Sequence, residues 1–155
     1  MTFDRNWGRF GVGISGTLPT GADGLTLDKW TAGPALGFVN SSVKKVNWGL
    51  FAQTFFSYAV DDDAPDVGII NLQPVLSYQL GKGRSFSVGN SALVYDTERS
   101  RWSSLLVSVN YGFVAGWAGQ KWRPNFEVGY DFKDDPGNQE WVLRAGVALL
   151  VPTAN

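Results

Sequence analysis

Arg123, Glu127 and Asp131 recur every four residues along the stretch 121–133, and with Arg9 and Arg144 they are the charges best placed to do chemistry. Residues four apart on a β-strand share a face. Glu127 and Asp131 together have the composition of an acid–base pair, and the arginines beside them have that of a selectivity cluster in a narrow pore. The same charges also form a structural ion network, because charges taken out of water persist only when paired and hydrogen-bonded. The network is the better reading, since little else supports catalysis. The chain has no His and no Cys, which removes Ser–His and Cys–His nucleophiles, imidazole and thiolate metal sites, and disulfides. Asp61, Asp62, Asp63 and Asp66 offer oxygens to a hard cation but lack EF-hand spacing, and read as a solvated loop. The expectation is therefore no enzyme, no cofactor and no metal. A net charge of −1 without a basic patch also gives no reason to expect nucleic acid.

The element that positions these charges has a second face. Trp122, Pro124, Phe126, Val128, Tyr130 and Phe132 alternate with Arg123, Asn125, Glu127, Gly129, Asp131 and Lys133. Similar alternation recurs near residues 9–18, 30–39, 47–60, 67–80, 85–96, 104–113 and 141–149, and Gly81-Lys82-Gly83 marks a tight hairpin. Shorter and longer connections alternate between these segments. An even strand number with that rhythm is the pattern of bacterial outer-membrane barrels. The 155 residues read as one domain, 1–155. Pro34, Pro74 and Pro124 fall inside expected strands and each calls for a bulge. Asn90 falls on the apolar parity, so it faces lipid or the register shifts nearby.

Two barrels fit such strands. A soluble, lipocalin-like ligand-binding barrel turns its apolar face inward, whereas a membrane barrel turns it outward. Most of the aromatic residues lie on the apolar parity, and an eight-stranded interior is only just wide enough for side chains to fill it. The opposite parity is rich in Gly, Ser, Asn and Gln, and charged residues make up only 17% of the chain. The predicted fold is an all-β, eight-stranded, antiparallel, up-and-down transmembrane β-barrel with periplasmic termini and its larger loops outside.

In this reading Trp30, Trp48, Trp122, Phe126, Tyr130 and Trp141 face lipid, several at strand ends where interfacial girdles form. Arg9, Arg123, Glu127, Asp131 and Arg144 form a lumen charge network. Phe51, Gln53, Phe55, Asn71, Gln73, Tyr95, Asn110 and Asn125 line the lumen beside them. The partners are a bilayer bearing lipopolysaccharide and a small solute; the sequence does not fix an oligomeric state. Val128→Arg is expected to be costly and Gly129→Ser mild. No stretch is apolar enough for a membrane helix. The start, Met-Thr-Phe-Asp-Arg-Asn, lacks the apolar core of a signal peptide, as expected of a mature or excised form of an exported chain.

Further motifs resemble a known family. The run Phe56-Ser-Tyr-Ala-Val-Asp-Asp-Asp-Ala-Pro-Asp-Val67 continues through Asn71-Leu-Gln-Pro-Val-Leu-Ser-Tyr78. Leu18-Pro-Thr20, Lys29-Trp-Thr-Ala-Gly-Pro34 and Trp141-Val-Leu-Arg144 accompany it. Together, from about Trp7 onward, they resemble Gram-negative outer-membrane proteins assigned to transport or to phenol-degradation meta-pathways. That resemblance implies a porin-like barrel passing small, aromatic or hydrophobic compounds. Members of the family are longer, with additional N-terminal strands, and their chains commonly end on an aromatic residue that 149–155 lacks. A closed barrel serving as a scaffold, or acting through its outer loops, is the alternative.

Overall fold

The computed structural model describes residues 1–18, 30–59, 66–89, 91–133 and 140–151, and within them every regular element is a strand. Eleven strands form one antiparallel sheet: β1 Thr2–Arg5, β2 Gly8–Thr17, β3 Trp30–Asn40, β4 Val46–Ala59, β5 Gly68–Gly81, β6 Arg84–Val88, β7 Ala92–Asp96, β8 Arg101–Phe113, β9 Ala115–Trp117, β10 Gln120–Asp131 and β11 Trp141–Leu150. They meander in chain order, with β6 and β7 sharing the place between β5 and β8, and β9 extending the rail beside β10.

Among the described residues the strands number eleven, where the sequence pattern placed eight. Thr2–Arg5 folds back on β2 with Thr2 opposite Gly11 and Arg5 opposite Gly8, where the sequence pattern placed no strand. The expected fifth segment divides into β6 and β7, and β9 is a further short strand just past the expected sixth segment, which lies within β8.

The prolines account for interruptions in the ladders. Pro74 pairs with Leu50 of β4, and on its other side it faces the gap between β6 and β7. Pro124 pairs with Val147 of β11 and on its other side has no ladder partner, at the end of β8. Pro34 pairs with Ile14 of β2, while Gly33 and Pro34 have no ladder partner on β4. A proline has no N–H to donate, so each sits where one of its two ladders is already broken.

The β6–β7 gap also changes parity. Phe86 and Val88 pair on the apolar face with Tyr111 and Val109, but beyond the gap Leu93 pairs with Leu72 and Leu105. Tyr95 then falls opposite Ile70 and Trp102, and its ring meets Trp102 edge-on at 5.3 Å. Tyr95 therefore does not line the polar face as the unbroken alternation predicted. Around the gap, Gly89 N–H donates to Ser108 O at 2.9 Å, and Ser108 N–H donates to Ser91 Oγ at 2.8 Å. The Ser91 hydroxyl thus stands in for a backbone acceptor while the extra residue is absorbed. Asn90, between them, lies outside the described residues.

The sheet is staggered and curved. A single rung runs from Ala145 in mid-β11 through Phe126, Tyr111, Phe86 and Tyr78 to Val46, the first residue of β4. Progressive offset of this kind accompanies the strand tilt of barrels. Ser15 Oγ on β2 reaches over β3 to donate to Thr54 O on β4 at 2.9 Å, so the sheet is concave there toward the polar side. The turns at 82–83 and 118–119 keep their two residues at positive φ (Lys82 52°, Gly83 73°; Ala118 51°, Gly119 74°), the backbone twist that tight hairpins favour. Among the described residues no ladder joins β11 to β1 or β2, and β1 covers only the Gly8 end of β2's outer rail.

Burial runs opposite to that of a water-soluble domain. Among the described residues no hydrophobic side chain is buried, and the buried polar ones are Thr31, Ser85, Ser91, Ser108, Glu127 and Asp131. Ile14 is 86% exposed and Leu143 78%. All seven Trp lie at strand ends: Trp7 in the turn after β1, the others within three residues of a strand terminus.

Candidate functional site

The polar face centres on β8, β10 and β11. Glu127 pairs across the ladders with Asn110 on one side and Arg144 on the other. Its Oε1 accepts from Ser108 Oγ at 2.8 Å and from Arg144 Nη1 at 2.8 Å. The carboxylate is almost fully buried, whereas the Arg144 side chain is 44% exposed, so the pair joins a desolvated anion to a half-solvated cation. Gly89 makes room for it: a Cβ there would lie 2.6 Å from Ser108 Oγ and 2.7 Å from Glu127 Cδ. Gly89→Ala is accordingly expected to displace Glu127 and weaken its contact with Arg144, seen as a loss of stability of about 1–3 kcal/mol in denaturant titration.

Asp131 sits higher on β10. Its Oδ2 accepts from Ser104 Oγ at 2.7 Å, and its Oδ1 accepts the N–H of Leu105 at 2.9 Å and of Lys133 at 3.0 Å. The carboxylate replaces a ladder acceptor where β8 and β10 part. Asp131→Ala would strand two backbone donors, at a cost of about 1–3 kcal/mol. Faster hydrogen exchange at the Leu105 and Lys133 amides would report it.

The five charges expected to form one network do not meet as one. Among the described residues, Glu127 and Arg144 are the two of the five that pair with each other. Arg123 donates to Ser85 Oγ at 3.1 Å. Arg9 lies at the far edge, paired with the exposed Asp4 of β1 at 2.6 Å, a partner that the sequence reading missed along with the strand.

Apart from Tyr95, the uncharged positions share the polar face by their cross-strand pairing. Phe51 pairs with Gly37 and Gln73, Gln53 with Ala35 and Asn71, and Phe55 with Ile69. Asn110 pairs with Ser87 and Glu127, and Asn125 with Gly112 and Gly146. Asn71 Oδ1 is buried without a hydrogen-bond partner among the described residues. Ser104 and Ser108 hold the two acids, Ser85 accepts from Arg123, and Ser91 accepts from the Ser108 backbone; in sequence only their parity pointed to this face.

On the opposite face Trp48 pairs with Leu76, Trp122 with Leu149, and Phe126 with Tyr111 and Ala145. Tyr130 and Trp141 pair and touch edge-on at 5.0 Å. Trp30 stands at a register shift at the start of β3 and is 43% exposed. The acidic positions Asp61, Asp62 and Asp63 lie outside the described residues, and among the described residues no group of three or more acids is arranged to hold a metal.

No family model, curated protein or solved structure matches the chain.

Proposed function

We propose that the chain is a transmembrane β-barrel protein of a bacterial outer membrane, whose polar face lines a narrow route for passive movement of small solutes. The observation that carries the reading is the inverted burial: the buried polar side chains lie under a sheet whose apolar face is bare. In water that face would forgo about 25 cal/mol for each Å² of apolar surface left exposed, whereas a bilayer removes the penalty. Tryptophans confined to strand ends fit interfacial girdles. With β6 and β7 taken as one position and β8 and β9 as another, β2 to β11 supply the eight long positions of the expected barrel. β2 and β11 run antiparallel, so seating β11 on the uncovered part of β2 would remove both open edges. The concavity over β1–β5, about 880 Å³ and lined by Arg9, Gly11, Gly37, Asn47 and Phe51 among others, is where a solute would pass. The sequence resemblance to outer-membrane transport proteins points the same way.

A second reading, a closed scaffold acting through its outer loops, is favoured by one observation. Both oxygens of Asp131 and the Oε1 of Glu127 accept from protein donors, which ties up acids of β10 that a solute would otherwise meet.

The chain should fold only with detergent or lipid and shift in gel mobility on boiling. A monomeric, β-rich, soluble protein without detergent would overturn the membrane assignment. In planar bilayers the transport reading requires discrete ion steps; a folded, inserted protein without them leaves the scaffold.

A further inference from the structure

Charge is sorted along the strands. The short turns at 42–45, 82–83 and 118–119 share one end of the sheet. There Lys44, Lys45, Lys82, Arg84 and Lys121 are exposed, and none of them has an ion-pair partner among the described residues. The one described acid at this end, Asp4, is held by Arg9. Acids predominate at the other end, in Asp66, Asp96, Glu98, Asp131 and Glu140, where Arg99 pairs with Asp96 and the other described cations are Arg101 and Lys133. Indole rings border the cations: Trp48 of β4 lies three residues after Lys45, Trp122 follows Lys121, and Trp117 meets Trp122 at 6.2 Å between ring centres.

We propose that this basic turn rim, Lys44, Lys45, Lys82, Arg84 and Lys121 with Trp48, Trp117 and Trp122, docks on the phosphate headgroups of an anionic lipid leaflet. The inference rests on the membrane reading above and adds which leaflet the turns meet. Tryptophan settles at headgroup depth because its ring is apolar and its N–H is polar. Cations just beyond that ring lie level with the phosphates, and each Lys or Arg near an anionic surface adds attraction that fades within a Debye length. Lys45 and Lys82 occupy left-handed turn positions, φ 68° and 52°, at the tips of their hairpins. The acidic end is repelled by the same surface, so the charge pattern orients the sheet as well as holding it.

The test uses the full chain, diluted from urea into vesicles of phosphatidylcholine alone or of phosphatidylcholine with phosphatidylglycerol. The comparison is a variant carrying Lys44→Gln, Lys45→Asn, Lys82→Asn and Lys121→Gln. Asn is chosen at the two left-handed positions because it tolerates that backbone. At low salt the unaltered chain should partition at least about tenfold better into the anionic vesicles, and about half-molar salt should abolish the gain. The variant should enter both vesicles alike and match the unaltered chain in the neutral ones. Equal partition of the unaltered chain, or an anionic preference that persists in the variant, overturns the docking proposal while insertion into neutral vesicles upholds the membrane reading. Failure to enter either vesicle overturns both.

Discussion

Val128→Arg is expected to destabilise the bilayer-inserted protein by about 2–4 kcal/mol, the cost of a guanidinium near the membrane midplane. Val128 is 45% exposed on the apolar face and shares a rung with Val109 and Leu143. Val109 lies about midway between Trp102 and Trp117 along its own rail, so the rung is central between the two tryptophan ends. The matched control is Val142→Arg on the polar face. Val142 pairs with Gly129, between Glu127 and Asp131 on the neighbouring strand, so a cation there meets two carboxylates diagonally. Its cost should stay below about 1 kcal/mol. Urea unfolding in lipid vesicles compares the two, and equal costs would refute the face assignment. Gly129→Ser, mild on sequence grounds, is a poor control. A Cβ at Gly129 would lie 2.7 Å from Ser108 Cβ, so the substitution carries a packing penalty of its own.

Alternation was legible because it is written once per residue and does not depend on what lies next door. It placed the segments, the two faces and the polar set on β10. It failed where tertiary pairing altered the count. Extending one parity through 85–96 put Tyr95 on the wrong face, because the slip between β6 and β7 depends on Ser91 replacing a backbone acceptor for Ser108, a contact between residues 17 apart. Pro74 and Pro124 signalled trouble in sequence, but which of their two ladders would break depended on the neighbouring strands. β1 was missed because Thr2–Arg5 is too short to show a period, and with it went the partner of Arg9. The single network of five charges dissolved for a related reason. Spacing by four put Arg123, Glu127 and Asp131 on one face, but the strand rise holds each about 13 Å from the next, so each serves its own cross-strand neighbours.

The same cross-strand logic sets the expectation for the edges. The outer rail of β11 carries backbone donors and acceptors with no partner among the described residues, on a strand where Leu143 and Val147 are 78% and 64% exposed. Such a rail recruits another strand or aggregates. In lipid, closure onto β2 should protect alternate β11 amides from hydrogen exchange for as long as those of β10. Rapid exchange confined to β11 would mean that the sheet stays open in the membrane as well.

Glu127→Ala should cost about 2–3 kcal/mol, more than a typical hydrogen bond, because the carboxylate is buried and serves two donors at once. Its loss leaves Ser108 Oγ, on a residue only 1% exposed, without that acceptor. Arg144 fares better, since its half-solvated guanidinium can turn to water, which keeps the cost below the 3–5 kcal/mol of a fully buried broken pair. Arg144→Met should therefore cost less than Glu127→Ala, although it too leaves Glu127 buried with one donor fewer. Glu127→Gln tells the two bonds apart: the amide oxygen still accepts from Ser108, but the charge facing Arg144 is gone. A double-mutant cycle over Glu127→Gln and Arg144→Met, read by unfolding in detergent micelles, should give a coupling of about 1 kcal/mol or more. A coupling near zero would mean that the ion pair contributes nothing to keeping the polar face closed.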